Sequence, residues 1–223
     1  MSLEENKKRV FSEVATAAKV AGREPDSVSI LAVTKYVDSE TAKELVEIGV
    51  THIAENRVDK FLDKYQALKD KDLTWHLIGT LQRRKVKDVI NYVDYFHALD
   101  SIKLAQEIDK RADHVINCFL QVNISGEESK HGFEPSELPA ILPELEKLAH
   151  VRIVGLMTMA PIDADEASLH QIFEKAHQLQ LELKKQNRSN MPFTELSLGM
   201  SRDFPIAIQH GSTFVRIGTA FFK

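Results

Sequence analysis

The chain has 223 residues, of which 43% are hydrophobic and 28% are charged, and its formal net charge is -4 at pH 7. This balance is ordinary for a globular protein with a buried core, and it excludes the overall basic field that attracts nucleic acid or anionic membranes. The single cysteine excludes a disulfide framework and a thiolate-rich zinc site, and it favours a reducing compartment, so the sequence predicts a cytoplasmic protein.

No segment reads as a membrane anchor or as a targeting signal. The longest apolar runs, such as Ile30–Val33 and Ile153–Met157, are far too short to span a bilayer. The first ten residues, MSLEENKKRV, lack the apolar centre of a secretory signal. We therefore expect no contact with a membrane.

An amphipathic helix is predicted first, with Val10, Val14, Ala17, Ala18 and Ala21 on one face and an end at Gly22. Short apolar, β-branched runs follow at intervals of twenty residues or more, and they predict buried strands. These runs are Val28–Lys35, Thr51–Asn56, Thr74–Thr80, Tyr95–Asp100, Ile116–Ile124, Val151–Met159, Thr194–Met200 and Phe214–Ala220.

The segments between the predicted strands show helical spacing. Asp38 is placed as the N-cap of a helix over Ser39–Ile48, and Gly49 suits the position just after its end. Farther along, one apolar stripe continues for about four helical turns. Its members are Leu169, Ile172, Phe173, Ala176, Leu179 and Leu183.

Strands that are apolar throughout are typical of parallel sheets covered on both faces. Eight of them separated by helices favour a single (β/α)8 TIM barrel with an extra N-terminal helix, and an open doubly wound sheet is the alternative. No linker interrupts the series, so we expect one domain over residues 1–223. Because the sequence ends at Lys223, just after the eighth predicted strand, we expect no second domain.

In such a barrel the functional residues lie at the carboxyl ends of the strands. Lys35 ends the apolar run ILAVTK, where desolvation would lower its pKa and favour the neutral amine that attacks an aldehyde. The alternative is a lysine that only caps a strand and points to water.

The last predicted strand suggests a partner for that lysine. In FVRIGTA, the strand period of two places Phe214, Arg216 and Gly218 on one face. Gly218, Thr219 and, in the preceding unit, Ser201 offer amides and hydroxyls where barrels commonly bind phosphate. Together with Lys35 they predict a site for a phosphorylated aldehyde, although Arg216 could instead form a barrel salt bridge and Gly218 could serve packing.

The chain closely resembles the pyridoxal phosphate homeostasis protein family, whose barrel is like the N-terminal domain of alanine racemase. The resemblance covers nearly the whole chain through several motifs in the same order. These motifs are LAVTK (31–35), AENRV (54–58), WHLIGTLQ (75–82), QVNISGEESKHGF (121–133), GLMTM (155–159), SLGMSRDF (197–204) and VRIGTAFF (215–222). The chain departs from the family pattern at Ile53-Ala54, where Phe-Gly is usual, and at Lys223, after which members commonly continue with a glycine and basic residues.

The resemblance implies a cofactor and its binding residues. Lys35 matches the lysine that forms the internal aldimine with pyridoxal 5′-phosphate (PLP), and Asn56 matches an asparagine near the cofactor ring. Arg216 matches the arginine that faces the pyridine nitrogen. The phosphate-binding segments of the family match Met200, Ser201, Gly218 and Thr219.

The resemblance also implies a function, namely a PLP carrier that buffers and delivers the cofactor and is not an enzyme. A cation beside the ring nitrogen makes the ring a poorer electron sink, and no segment here matches the second base that alanine racemase takes from its other domain. The alternatives are a PLP-dependent amino-acid racemase or related enzyme and, less favoured, an aldolase-type barrel acting on a sugar phosphate. We expect a monomer that contacts PLP-requiring apo-enzymes transiently.

Other motifs are given ordinary interpretations. The nine histidines show no metal-ligand spacing, so no metal site is expected. Cys118 and His76 are interpreted as core residues, the imidazole being hydrogen-bonded, and the basic run RRKVK (83–87) as a solvated helix face. In the polar segment 125–133, interpreted as a mobile rim, Lys130 could bind an anion or simply be exposed.

Overall fold

The computed structural model describes residues 2–127 and 131–223. Eight parallel strands close into a barrel in which each strand pairs with the next along the chain and β8 pairs with β1. The strands are β1 (Ser29–Val33), β2 (His52–Glu55), β3 (Thr74–Leu77), β4 (Tyr95–Leu99), β5 (Ile116–Gln121), β6 (Val151–Met157), β7 (Glu195–Met200) and β8 (Phe214–Ile217). The predicted barrel is confirmed, and the open sheet is excluded because the strand order closes on itself.

Helices cover the outside of the barrel between the strands. They are α1 (Leu3–Val20), α2 (Ser39–Glu47), α3 (Val58–Leu68), α4 (Val86–Val89), α5 (Ile102–Arg111), α6 (Leu138–Leu145), α7 (Glu166–Lys185), α8 (Phe204–Gln209) and α9 (Thr219–Phe222). Short 3₁₀ turns lie at Arg83–Lys85, Ile90–Tyr92 and Pro135–Glu137. The run RRKVK therefore begins as a 3₁₀ turn and becomes helical only from Val86.

The capping residues predicted for α2 are confirmed. The Asp38 side chain accepts a hydrogen bond from Thr41 N at 2.9 Å, and Gly49 follows α2 with a φ of 96°. In α1, Val10, Val14 and Ala18 are buried, as the pattern predicts. Asn6 is buried with them because its side chain donates to Phe221 O at 3.0 Å, which fastens α1 to α9.

Most of the strands are shorter than the apolar runs that predict them. β1 ends at Val33 rather than Lys35, and β5 ends at Gln121 rather than Ile124. At the end of the chain β8 stops at Ile217, and a helix, α9, begins at Thr219 inside the predicted strand. Thr34 and Val122, the first residues after β1 and β5, are still buried, so hydrophobicity alone does not mark where strand pairing ends. Within the described residues, no helix has both the length and the apolar character required to cross a membrane.

Candidate functional site

A cavity of about 730 Å³ opens where the carboxyl ends of the strands meet. All seven residues that the sequence assigns to a binding site line it, which brings together residues far apart in the chain. They are Lys35, Asn56, Met200, Ser201, Arg216, Gly218 and Thr219. Because four different strands position these residues, only the closed barrel places them around one space.

Lys35 lies at the rim of the cavity, two residues after the end of β1. Its side chain is exposed, and its Nζ lies 4.8 Å from the centroid of the Tyr36 ring. The expected desolvation of Lys35 is therefore wrong, since the residue follows the strand instead of ending it inside the barrel. The amine is accessible to a ligand that enters the cavity.

Asn56 is held at the rim by the close approach of β3. A Cβ atom on Gly79 would overlap the carbonyl oxygen of Asn56, so only glycine allows the two strand ends to lie this close. Ile78 N donates to Glu55 O at 2.8 Å and extends the pairing beyond the ladder. The backbone that carries Asn56 is thereby fixed relative to β3.

Arg216 forms a buried cation in the wall of the cavity, with only 5% of its surface exposed. Its guanidinium donates to the carbonyl oxygen and the hydroxyl of Ser197, each at 2.6 Å, and to Thr158 O at 3.0 Å. Burial lowers the pKa of Arg216 to about 10, while the charge of Asp203 acts in the opposite direction. The side chain is therefore still charged at neutral pH. Its hydrogen bonds with the described residues all go to uncharged oxygens.

The loops after β7 and β8 supply small residues and hydrogen-bond donors. Gly218 N donates to Ser201 Oγ at 3.3 Å, and Met200 N donates to Asp203 Oδ1 at 2.6 Å. A Cβ on Gly218 would come no closer than 3.5 Å to Val33 O, an ordinary contact. The packing of the protein does not itself require glycine there, and its absence of a side chain leaves room for a ligand. Backbone amides and hydroxyls in such loops bind anions well.

Gly199, near the end of β7, meets a different requirement. Its φ is 84°, and a Cβ there would lie 2.9 Å from Phe204 Cα and 2.7 Å from Ala207 Cβ. The glycine is needed so that α8 can pack directly against the end of β7. This packing sets the position of Met200 and Ser201 at the cavity.

Several cavity residues are not found by reading strand ends. They are Tyr36, Ile78, Gln121, His131, the segment 160–162, Ala164, Leu169, Arg202 and Asp203. Gln121 and Ile78 lie close to predicted strand ends, so a more careful choice of boundaries would have identified them. Met159, which also lines the cavity, is the end of a predicted strand, whereas residues 160–162 belong to no motif.

Some predicted strand-end residues lie outside the cavity. Asn123 closes the loop after β5 by donating to Glu127 O and Glu134 Oε1, each at 3.0 Å. Ile53 and Ala54, the departure from the family pattern, are both fully buried and do not line the cavity. The role considered for Lys130 concerns a position outside the described residues.

The predicted core role of His76 and Cys118 is confirmed, since both are fully buried. His76 bonds two other histidines, with Nε2 2.9 Å from His52 Nδ1 and Nδ1 3.0 Å from His97 Nε2. Burial holds the pKa of His76 well below its usual value, and the charges of His97 and His52 add to this effect. Burial likewise holds the pKa of His97 well below its usual value, helped by Arg216.

These two depressed pKa values predict a marked loss of stability in mild acid. Below a pH of about 6.5, the usual pKa of a histidine, the two imidazoles bind protons in the unfolded chain but stay neutral in the folded chain. The free energy of unfolding therefore falls as the pH falls. It should be lower at about pH 5 than at about pH 7.5, with both histidines contributing to the loss. Urea unfolding at the two pH values measures it.

A matched control for this experiment is His114→Gln, which removes an exposed histidine. The variant should show the same acid sensitivity as the unaltered chain, because no buried imidazole has been removed. A free energy of unfolding that is equal at both pH values would show that His76 and His97 accept protons in the folded state.

Comparison with known proteins shows the relationship of the chain. The family model described as "Alanine racemase, N-terminal domain" matches residues 11–223. A pyridoxal phosphate homeostasis protein of Aquifex aeolicus (strain VF5) is 40% identical over 217 residues, which cover 96% of this chain and 94% of that protein. One from Pseudomonas aeruginosa is 35% identical over 224 residues, covering 99% of this chain and 95% of that protein.

A solved structure agrees with this relationship. PipY of Synechococcus elongatus PCC7942, determined with PLP bound, is 35% identical and has a TM-score of 0.83, covering 94% of this chain and 100% of that one. Alanine racemase from Corynebacterium glutamicum has a TM-score of 0.71 at 12% identity, covering 96% of this chain and 60% of the enzyme. The likeness to the enzyme is one of fold.

Proposed function

Because this chain belongs to the pyridoxal phosphate homeostasis protein family, we propose that it binds PLP in the cavity at the strand ends and that it buffers or delivers the cofactor. The observation that carries the proposal is the set of groups around one cavity. The cavity is lined by a primary amine, a buried cation and two loops that carry hydrogen-bond donors. Each corresponds to one part of PLP, namely the carbonyl carbon, the pyridine ring and the phosphate.

The donor set fits the phosphate end of this cofactor. Ser201, Gly218 and Thr219 present a hydroxyl pair and backbone amides at the cavity, and Gly218 leaves room that the packing of the protein does not need. Small residues and oriented amides bind a phosphate without a bulky side chain in the way. We assign the phosphate to these residues, with Met200 at the edge of the same loop.

PLP supplies a carbonyl carbon that a primary amine can attack. Lys35 supplies that amine from the rim, where its exposure lets the ligand reach it. Asn56 follows the end of the neighbouring strand, β2, and lines the same cavity. Because the close approach of Gly79 fixes its backbone, we assign to Asn56 a contact with the ring. Both roles agree with the motifs that the chain shares with its family.

Arg216 determines the chemical character of the site. The guanidinium is buried and charged, and three hydrogen bonds hold it in the wall. A fixed cation disfavours protonation of a basic nitrogen beside it, and an unprotonated pyridine draws electrons less strongly. A cavity built in this way holds the cofactor without favouring the chemistry of PLP enzymes.

The alternative is a PLP-dependent amino-acid racemase or related enzyme. It is considered because the chain shares its fold with alanine racemase. A racemase needs proton donors and acceptors on both faces of its substrate. Besides Lys35, the described lining residues that could exchange a proton include Tyr36 and His131, both exposed at the rim, and Asp203, which accepts from Met200 N. What favours the carrier is the buried cation of Arg216, because it disfavours protonation of the pyridine nitrogen.

A transfer assay separates the two functions. The PLP-loaded protein should activate an apo-enzyme that requires PLP, while it shows no sustained turnover of common amino acids on its own. Loss of cofactor from the carrier and gain of activity in the acceptor are measured together, with free PLP at the same concentration as the control. Multiple turnovers of any amino acid, abolished in Lys35→Ala, would establish the enzyme instead.

We propose further that residues 1–223 act as one domain and that the protein is a cytoplasmic monomer with transient contacts to apo-enzymes. Three features support this proposal. The side chain of Asn6 ties α1 to the end of the chain, so the first helix is part of the barrel unit. The single cysteine is buried and free, which suits a reducing compartment. The exposed rim around Lys35 leaves the site accessible to another protein.

A further inference from the structure

A row of polar side chains crosses the interior of the barrel and ends at the cavity. His52 Nδ1 lies 2.9 Å from His76 Nε2, His76 Nδ1 lies 3.0 Å from His97 Nε2, and His97 Nδ1 lies 2.8 Å from Ser197 Oγ. Ser197 Oγ in turn accepts from Arg216 at 2.6 Å. We call these five residues the relay. They come from β2, β3, β4, β7 and β8, and His52 begins its strand while Arg216 lies at the opposite end of the barrel.

The donors and acceptors of the relay have one consistent direction. A guanidinium only donates, so Arg216 occupies a lone pair of the Ser197 hydroxyl, whose proton then goes to His97 Nδ1. A neutral imidazole has one donor and one acceptor. His97 must therefore carry its proton on Nε2 and donate to His76.

The same reasoning applies to the hydrogen bonds between the histidines. His76 accepts at Nδ1, carries its proton on Nε2 and donates to His52 Nδ1. In the opposite direction His97 would donate to Ser197, and the hydroxyl proton of Ser197 would have no acceptor among the described residues. An unsatisfied hydroxyl in a fully buried position is costly.

The rings of the relay are held in place by their neighbours. His97 stacks on Phe119 with 4.4 Å between ring centroids, and His76 stacks on Tyr95 with 5.0 Å. Both imidazoles are fully buried, and their depressed pKa values keep them neutral. A change at one end can then pass along the relay only as a change of tautomer.

We propose that Ser197 and His97 are positioning residues of the ligand site, which hold the guanidinium of Arg216 through a relay whose hydrogen bonds all run from Arg216 toward His52. The ligand part of this inference rests on the proposed PLP site, while the direction of the relay does not. The Ser197 hydroxyl donates its proton to His97, which fixes the orientation of the hydroxyl. Its oxygen can then accept the hydrogen bond that holds Arg216. The relay thus extends the ligand site through the barrel to the amino-terminal end of β2.

The direction of the relay is measured on the protein without any ligand. In ¹⁵N-labelled protein at about pH 7.5, two-bond nitrogen–proton correlation spectra distinguish the imidazole tautomers. His97 and His76 should both be neutral with the proton on Nε2. A proton on Nδ1 of either ring, or an imidazolium, would overturn the inference whether or not PLP binds.

The positioning role is measured with Ser197→Ala and its matched control Ser212→Ala. Both serines are fully buried, and the Ser212 hydroxyl bonds only backbone groups among the described residues, such as Leu198 O at 2.9 Å. Ser197→Ala should give mixed tautomers at His97 and His76 and raise the dissociation constant for PLP about tenfold, the effect of one lost bond to a charged group. Ser212→Ala should leave the tautomers unchanged and the affinity within about threefold.

The two variants separate positioning from general destabilisation. Unchanged tautomers in Ser197→Ala, or an equal loss of affinity in both variants at matched stability, would overturn the positioning role. Failure of the unaltered protein to bind PLP would refute the proposed function and leave the tautomer result standing. The two hypotheses therefore fail on different measurements.

Discussion

Replacing Lys64 by methionine should lower the free energy of unfolding by about 3–5 kcal/mol, the typical cost of removing one partner from a buried ion pair. Lys64 Nζ lies 2.6 Å from Glu55 Oε1, and the two side chains are 2% and 0% exposed. Glu55 Oε2 makes no hydrogen bond with any described residue. Without Lys64 the carboxylate would retain only the bond from Thr34 Oγ1, at 2.7 Å.

The consequences of this change should reach the candidate site. Thr34 immediately precedes Lys35, and Glu55 immediately precedes Asn56. The hydrogen bond from Thr34 to Glu55 joins the two strand ends that carry those residues, and the ion pair with Lys64 holds the Glu55 carboxylate in place for it. Lys64→Met should therefore weaken PLP binding as well as stability. Urea unfolding followed by the intrinsic fluorescence of Trp75 measures the first effect, and a PLP titration measures the second.

Two further variants make the experiment decisive. Lys8→Met removes a partner from an exposed pair with Glu4, 72% and 60% exposed, and should leave the free energy of unfolding almost unchanged because water screens the pair. The double variant Glu55→Gln/Lys64→Met removes both charges and should recover most of the lost stability. A cost below about 1 kcal/mol for Lys64→Met would show that the Glu55 carboxylate finds another partner or takes up a proton.

Much of the fold could be predicted because its signals are local. The apolar runs mark the strands, and Asp38 and Gly49 mark the two ends of α2. The strand ends are less accurate, since burial continues past the last residue of the strand, as at Thr34 after β1 and Val122 after β5. The amphipathic pattern of α3 also gives no reason to bury Lys64, because only the tertiary structure brings Glu55 to it.

The candidate site divides in a similar way. Lys35, Arg216 and the three small residues proposed to bind phosphate follow from strand position, while the ligand roles of Asn56 and Met200 follow from the family motifs. The relay could not be predicted, since hydrogen-bonded neighbours in it are separated by up to a hundred residues, as His97 and Ser197 are. Its existence depends on which side chains face inward at the same level of the closed barrel, and only the register of the strands determines that.

The most direct measurement of the central claim is to locate the lysine to which PLP becomes attached. The protein is incubated with PLP and treated with borohydride, which fixes the cofactor to the lysine that holds it, and the peptides are mapped by mass spectrometry. The chain has many exposed lysines, of which Lys8 is one, and they serve as internal controls for non-specific modification. Lys35→Ala is the matched variant. We predict that Lys35 carries the major adduct at equimolar PLP and that Lys35→Ala loses it. A major adduct on another lysine, or an equal yield in Lys35→Ala, would contradict the assignment of this cavity as the PLP site.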